Sequence, residues 1–485
     1  MLGTWSTHEF FQKLMVARIN REFKHNPKAI EHFETAILKM YYLNLDQVYN
    51  DFQPLFSTTG RPSNQQPEIF RSFVLMSHFK YASIEEWVSY AKSSKILSAL
   101  VGVFPDEFPS ESTHRDFYSR LWMDSEPNHI RSSEKKPTTK HGNEKMPPKH
   151  PGIIKELVDK ALSGETFKRI PERLFQALFA KVALHPSAKM GLLGDTSKLI
   201  ISADGTCVTS NANPNGVKVC DCIGKCSCQR SFADPLANWG WDSYHKRYFF
   251  GYTAYLLSVH NPDLKLDLPI YLKLVEASCF DGVTLISALS HARFIYDDFL
   301  TFNSLLADSA HDNYSTYDLL KQWNIIPFIP LNNRRADTIQ LDDIQTTDAG
   351  VPICADGHDM ANWGFDAKRY RVKYRCPYIT GKVKFCFYSE NCNKTSYGKI
   401  VYINLAKDLR ILTPVPRDSE EWVNTFKQRT AAERVNNRIL TDYQLEQPKR
   451  YGRKKLAFFT FINAINVHLD AQIKFNDISV ESLVG

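Results

Sequence analysis

Apolar residues recur every three or four positions through most of the first 190 residues, and from Leu199 the period changes. PEIFRSFVLMSHFKY, opened by Pro67, has the spacing of a helix that buries one face. Ser83 begins SIEE, a capping box in which Glu86 reaches back to the free amides; this helix is expected to run towards Leu97 and end near Gly102. A turn with Pro105, Pro109 and Ser110 precedes a third helix, STHRDFYSRLW, and IIKELVDKAL and IPERLFQALFAKVALH continue the helical period. LIISADGTCV then reads as a strand ending at Asp204 and broken by Gly205, and YFFGYTAYLLSV and LPIYLKLVEAS as two more, rich in β-branched and aromatic residues. TLISALSHARFIYDDFL is helical, and FNSLLADSAHDNYSTYDLLKQWNIIPFIPL gives strand, Asp308, helix, strand. Trp422 to Arg438, without Gly or Pro, reads as one helix with Phe426, Arg429, Glu433, Asn437 and Leu440 on one face. RYGRKKLAFFTFINAINVHLDAQIKF is a basic turn, placed to meet phosphate, leading into an apolar helix expected to pack on the sheet region.

These periods predict an α/β protein, and 485 residues exceed one ordinary core. The expected parts are an all-helical domain (1–130), a basic flexible linker (131–152) and a helical connector (153–195). A sheet-bearing domain follows in two parts (196–345 and 402–475), split by a cysteine-containing insertion (346–401). The linker, RSSEKKPTTKHGNEKMPPKHPG, lacks apolar periodicity and serves either as a tether or as a strand along a phosphate backbone. Arg61, Arg71, Arg115 and Arg120 leave the first part open between a DNA-binding helical domain and a bundle with surface arginines. Net charge of +7 permits a nucleic-acid partner without demanding one. The N-terminal stretch has no apolar signal core and no run is long enough to span a membrane, so no membrane partner is expected. Ten cysteines, mostly clustered, suit a reducing cytosol.

Chemistry concentrates in carboxylates and thiols. Asp204 and Asp308 fall where strands are expected to end, the place in α/β sheets where ligand-binding residues collect. With Glu433 on a later helix they form a candidate three-carboxylate site of the oxygen-ligand kind that Mg²⁺ or Mn²⁺ prefers. Two such ions about 4 Å apart can drive in-line phosphoryl displacement. Asp356, Asp312, Asp242 and Asp366 compete, and order and context favour Asp204. VCDCIGKCSC places Cys220, Cys222, Cys226 and Cys228 at a density that can close a tetrahedral Zn²⁺ site; Cys354, Cys376, Cys386 and Cys392 form a second candidate set, with His358 as a substitute ligand. Metal-free reduced thiols are the competing reading for both sets, and the sets could also combine. Cys207 and Cys279 read as strand or core residues. The aromatics Trp239, Trp241, Tyr244, Tyr248 and Phe249, among Arg230, Lys246 and Arg247, could stack on an unpaired base, with sheet packing the favoured alternative.

ADGT, LLADSAHDNY with IIPFIPLNNR, and FKQRTAAERVNNR together resemble the catalytic motifs of bacterial insertion-sequence DDE transposases. GRPSNQQPEIFRSFVL and FPSESTHRDFYSRL resemble the helical region that precedes the catalytic core in many of them, so the resemblance spans most of the chain. It implies an RNase H-like mixed sheet flanked by helices, Asp204, Asp308 and Glu433 as the metal-binding triad, and cleavage and strand transfer of double-stranded DNA at element ends. It also implies a homodimer or larger assembly on DNA, at the nucleoid in the cytoplasm. One subgroup carries Y-x2-R-x3-E-x6-K; here Arg429 and Glu433 fit, while Phe426 and Leu440 replace the tyrosine and lysine. That puts a hairpin intermediate in question and leaves Arg438 or Lys427 for the phosphate contact, beside Arg434. Arg429 is expected to clamp phosphate or orient the carboxylate. A DNA-binding regulator without catalysis and a metal-dependent nuclease without strand transfer are the competing functions.

Overall fold

The computed structural model describes residues 1–23, 28–133, 136, 152–165, 170–332, 344–347, 349–390, 392, 395–447, 449–476 and 478–484. Nearly all of the expected 131–152 linker lies outside the described residues. The chain is mixed α/β. Its N-terminal part contains α1 (His8–Phe23), α2 (Glu34–Tyr42), α3 (Gln66–His78), α4 (Ile84–Ser93), α5 (Lys95–Val101) and α6 (Glu111–Arg120). Ser83 caps α4 by accepting the Glu86 amide at 3.1 Å, but the Glu86 carboxylate binds Lys449 at 2.9 Å instead of closing the box. The helix expected to continue to Leu97 stops at Ser94, whose hydroxyl caps α5, and α5 ends at Gly102 with φ of +105°. That left-handed stop is one a glycine adopts without steric cost.

The main sheet uses β1 (Leu199–Thr209), β2 (Asn238–Asp242), β3 (Arg247–Asn261), β4 (Leu266–Glu276), β5 (Phe302–Leu306) and β6 (Ile326–Phe328). Its order is β4-β3-β1-β5-β6, antiparallel among β4, β3 and β1 and parallel from β1 to β6, with β2 on the other end of long β3. β3 is almost continuously buried because strands pair on both of its edges, which explains its unbroken apolar run. At Gly251 a side chain would strike the Val208 carbonyl, so β3 crosses β1 there only as glycine. Helix α9 (Asp281–Ile295) links β4 to β5 and α10 (Tyr314–Gln322) links β5 to β6. The connector helix α7 (Gly152–Leu162) packs Val158 with Ile286 of α9 and Leu319 of α10, and so belongs to the sheet's helical layer. The stretch following it forms α8 (Arg173–Phe179) and a π-helical turn, Ala180–Leu184.

The expected Trp422–Arg438 helix is segmented into α11 (Glu420–Phe426), a 3₁₀ turn (Lys427–Arg429), α12 (Thr430–Asn437) and a π turn (Arg438–Asp442). α11 docks Trp422 beside Leu306 and Phe328 of the parallel strands, while α12 lays Ala431, Ala432 and Val435 against the sheet. Last comes α13 (Arg453–Lys474), a buried spine. Its Phe458 meets Phe73 of α3 at 4.7 Å between ring centroids, and its His468 Nε2 lies 2.7 Å from the Pro269 carbonyl of β4. One apolar core therefore runs from Leu2 to Val480, joining the N-terminal helices to the sheet. The insertion is a separate three-stranded antiparallel sheet of β7 (Ala361–Asp366), β8 (Arg371–Arg375) and β9 (Ile400–Asn404) on a small core of its own. That core reaches Leu412, beyond the expected boundary at 401. The similar ANWGWD and ANWGFD segments form β2 and β7, and each starts a hairpin that pairs its aspartate with an arginine, Asp242 with Arg247 and Asp366 with Arg371.

Candidate active site

β1 does not end at Asp204; it continues through Gly205 to Thr209 because β3 keeps pairing with it. What ends is the parallel pairing with β5, at Ser202 and Leu306. Asp204 and Asp308 each lie two residues beyond that pair, on the same pleat parity, so the backbone brings them side by side. Behind Asp204, a Cβ on Gly205 would approach the Asp281 carboxylate to 2.9 Å, and the bare glycine lets the α9 N-terminus come that close. α12 and the 3₁₀ turn before it cross above: Asn436 Nδ2 donates to Asp204 Oδ2 at 3.1 Å, and Ser202 Oγ donates to the Gln428 carbonyl at 3.3 Å. The Asn436 Oδ1 is buried and has no hydrogen-bond partner among the described residues.

Four acidic groups thus share a neighbourhood. Burial pushes the Asp204 carboxyl up to about 6; Arg429 opposes the rise, and Asp308, Asp281 and Glu433 add to it. Asp281 is raised too, first by burial and further by Asp308, against His311. Burial also works to raise Asp308, but the His311 hydrogen bond and charge outweigh it and leave that carboxyl below its ordinary value. His311, buried, places Nδ1 2.7 Å from Asp308 Oδ1 and Nε2 2.8 Å from the Tyr255 hydroxyl. The two aspartates are therefore unlike. The imidazole favours the ionised form of Asp308, and Asp204 holds its proton to higher pH than an ordinary carboxyl.

Glu433 reaches this neighbourhood but is turned onto Arg429, one helical turn earlier, in a short ion pair. The other basic residues expected to contact phosphate also have partners. Arg434 pairs with Asp267 and Arg438 with Asp470, while Lys427 Nζ donates to Asn424 Oδ1 at 3.0 Å. Phe426 stacks on Trp422 at 4.6 Å and Leu440 packs on the main core, so both residues serve packing. The rival carboxylates have structural roles: Asp312 is buried against Arg410, Asp242 accepts the Tyr244 and His245 amides, Asp366 pairs with Arg371, and Asp356 sits in the insertion.

Arg71, considered for DNA binding, is buried with its guanidinium 3.4 Å from the centroid of Phe11; Arg115 pairs with Glu85. The C-terminal basic turn is occupied as well, with Arg453 on Glu172 at 3.2 Å and Lys454 on Glu126. Among the aromatics Phe249 is buried, whereas Trp241 and Tyr244 are exposed and line a cleft of about 540 Å³ with Asp281 and Arg247. Cys279 is exposed in a bend after β4, not a core residue.

Cys220, Cys222, Cys226 and Cys228 lie in a loop between Val217–Lys218 and Arg230–Ser231, two short strands of a ribbon completed by Ile130–Arg131. Their sulfurs all lie within 4.8 Å of one another, with Cys220 to Cys226 at 3.5 Å and Cys222 to Cys228 at 3.7 Å. Four thiols so placed can bind a metal ion. They are the only group of three or more candidate ligands so drawn together among the described residues, and the three carboxylates are not. The two cysteine sets do not combine: the second lines a cavity in the insertion that none of the first four enters.

Sequence reasoning passed over Asp281, His311 and Asn436. His311 was visible as the i+3 neighbour of Asp308 in ADSAHD, and Asn436 as the i+3 neighbour of Glu433. Nothing local marks Asp281, which joins the site by tertiary approach to Gly205. No helix among the described residues is long and apolar enough to cross a membrane. No protein-family model matches the chain, and no curated protein matches it.

Proposed function

We propose that the protein is a DDE-type transposase with an RNase H-like catalytic domain, cutting element ends and joining them to target DNA. The observation that carries this reading is the placement of Asp204 and Asp308 each two residues beyond the end of the parallel β1–β5 pair, with the Glu433 helix held to Asp204 through Asn436. The strand order β4-β3-β1-β5-β6, with helices after β4 and β5, supports the fold assignment. The donor set suits a hard divalent cation: ionised Asp308, an Asp204 that loses its proton near pH 6, and the unpartnered Asn436 carbonyl oxygen.

Asp204 and Asp308 would hold Mg²⁺ or Mn²⁺, with Glu433 joining when it exchanges Arg429 for the cation. Such ions supply activation of a water or 3′-hydroxyl and stabilisation of the leaving oxygen in in-line displacement. His311, backed by Tyr255, fixes the Asp308 carboxylate, and Asn436 fixes that of Asp204. Arg429, released by Glu433, lies within electrostatic reach of Asp204 and Asp308 and would be free to meet a DNA phosphate. At the ribbon, sulfurs 3.5 and 3.7 Å apart approach the edge of a tetrahedron with Zn–S bonds of about 2.3 Å, and zinc is the ion we assign to Cys220, Cys222, Cys226 and Cys228.

The test uses full-length protein, DNA flanking its own gene and Mg²⁺ or Mn²⁺, with wild type beside Glu433→Gln. Metal-dependent cuts at defined ends and joined products are expected from wild type only, with DNA binding retained by the variant. Binding without cutting in both proteins would replace this reading with a DNA-binding regulator. Cuts without joined products would replace it with a nuclease.

A further inference from the structure

The insertion holds a chemical feature that the carboxylate site does not use. Between β8 and β9 the chain makes a long excursion whose described residues form turns and no helix or strand. Its large side chains face outward: Phe385 is 62% exposed, Phe387 81% and Tyr397 58%. An excursion of that length with so little buried apolar surface needs another source of order.

Cys354, Cys376, Cys386 and Cys392 line one cavity of about 30 Å³ together with Asp356 and His358. That volume accommodates one ion or water. The cysteines approach it from separate directions: Cys354 precedes β7, Cys376 follows β8, and Cys386 and Cys392 lie on the excursion itself. The backbone is shaped tightly at Cys354 and at Cys376. Cys354 opens a turn in which the Gly357 amide returns to its carbonyl at 2.9 Å, with Gly357 at φ +75°, and the Cys354 amide donates to the His358 carbonyl at 2.8 Å. Gly398 lies so close to Cys376 that a Cβ would come within 2.6 Å of the cysteine Cβ. Asp356 accepts the Phe387 amide at 3.1 Å and lies 3.5 Å from His358 Nε2, so its carboxylate is committed within the insertion.

We infer that Cys354, Cys376, Cys386 and Cys392 bind a structural zinc ion that closes the insertion, separately from the Cys220–Cys228 loop. Their sulfurs are not gathered as those of the Cys220–Cys228 loop are, so coordination would draw them inward by side-chain rotation, each thiol giving up its proton to solvent as its Zn–S bond formed. Asp356, which accepts the Phe387 amide and interacts with the Cys386 thiol, stays outside the sulfur shell and ties the Cys354 turn to the excursion. The insertion so closed is clamped to the main sheet's loop: Arg410 Nε meets both Asp312 oxygens at 2.9 Å, and Asp312 is four residues after Asp308. The Tyr314 hydroxyl adds a bond to Asp408 at 3.0 Å. The metal thereby holds the segment that leads into the Glu433 helix. This inference stands whether or not the protein cuts DNA, because its readout is metal content.

The experiment is zinc analysis of full-length protein grown with zinc and purified without chelator. The variant with Cys220, Cys222, Cys226 and Cys228 all changed to Ser is expected to keep one zinc per chain, because those residues lie on a part-exposed loop. Cys376→Ser/Cys386→Ser is expected to lose one equivalent relative to wild type. Retention of the full wild-type zinc by that double variant, or absence of zinc from the four-serine protein, would overturn the assignment. X-ray absorption on the four-serine protein guards against a misfolded double variant. Four sulfur neighbours at about 2.3 Å are expected, and an oxygen-dominated or nitrogen-dominated shell would sink the site.

Discussion

Asp204 and Asp308 stand beside strands sunk in a core that runs from Leu2 to Val480, whereas the insertion's cysteines hang on a small core with seven buried apolar side chains among the described residues. The first region is held by apolar burial. It can therefore tolerate an electrostatically unfavourable group of carboxylates, with Asp204 pushed up to about 6. The second has little apolar surface of its own; its cysteines line a small cavity, and Arg410 ties it to Asp312. Strain is thus concentrated where the scaffold is strongest, and specific bonds are concentrated where it is weakest. Asp312 connects the two, since it receives the insertion's buried arginine within one short segment of Asp308.

That contrast can be broken most severely at the spine. Phe458→Ala removes a ring shared by α3, α6 and α8, and a loss of about 3–5 kcal/mol is expected. Hydrogen exchange should then speed up together in α3 and β3. Loss confined to the N-terminal helices would mean that they fold apart from the sheet. Arg410→Ala leaves the Asp312 carboxylate buried and unpaired, with an expected cost of about 3–5 kcal/mol. Here the damage should be local: limited proteolysis between 376 and 399 accelerates while exchange in β3 changes little. Arg410→Met with Asp312→Leu should recover most of the stability.

The carboxylate site should answer in the opposite sense. The raised Asp204 value means that the native state holds this proton more tightly than the unfolded chain between about pH 4 and pH 6. Without a divalent cation, stability therefore falls as pH climbs through that window and stays lower above it. Asp204→Asn should remove this slope and stabilise the cation-free protein at neutral pH by on the order of 1–3 kcal/mol, and under the proposed function it should also abolish cleavage. Thermal melts of both proteins from pH 4 to 8 measure the slope, and identical slopes would refute the role given to burial. The smallest effect is Ser83→Ala, expected to cost about 1 kcal/mol through the lost α4 cap, with no change in metal content.

Much of this architecture was legible along the chain because it is local. A period of three to four marked the helices, apolar runs marked β3 and β4, and the density of Cys220 to Cys228 marked a place able to bind metal. Asp204, Asp308 and Glu433 were singled out by their order on such elements. Their proximity, however, follows from strand register and from where α12 docks, and neither is a local property. The continuation of β1 past Asp204 was hidden for the same reason: it depends on a β3 partner about fifty residues away, which outweighs the local signal of a glycine.

By itself, then, the sequence determined the order and kind of elements and the residue types available for chemistry, since these depend on neighbours a few positions apart. Only the tertiary structure decided which charges are already paired. Arg434 belongs to Asp267, Arg438 to Asp470 and Arg410 to Asp312, pairs separated by long stretches of chain. It also brought Asp281 beside Gly205, and merged the N-terminal helices and sheet around α13. Close approach between distant segments is set by packing the whole core, and no window of local periodicity contains it.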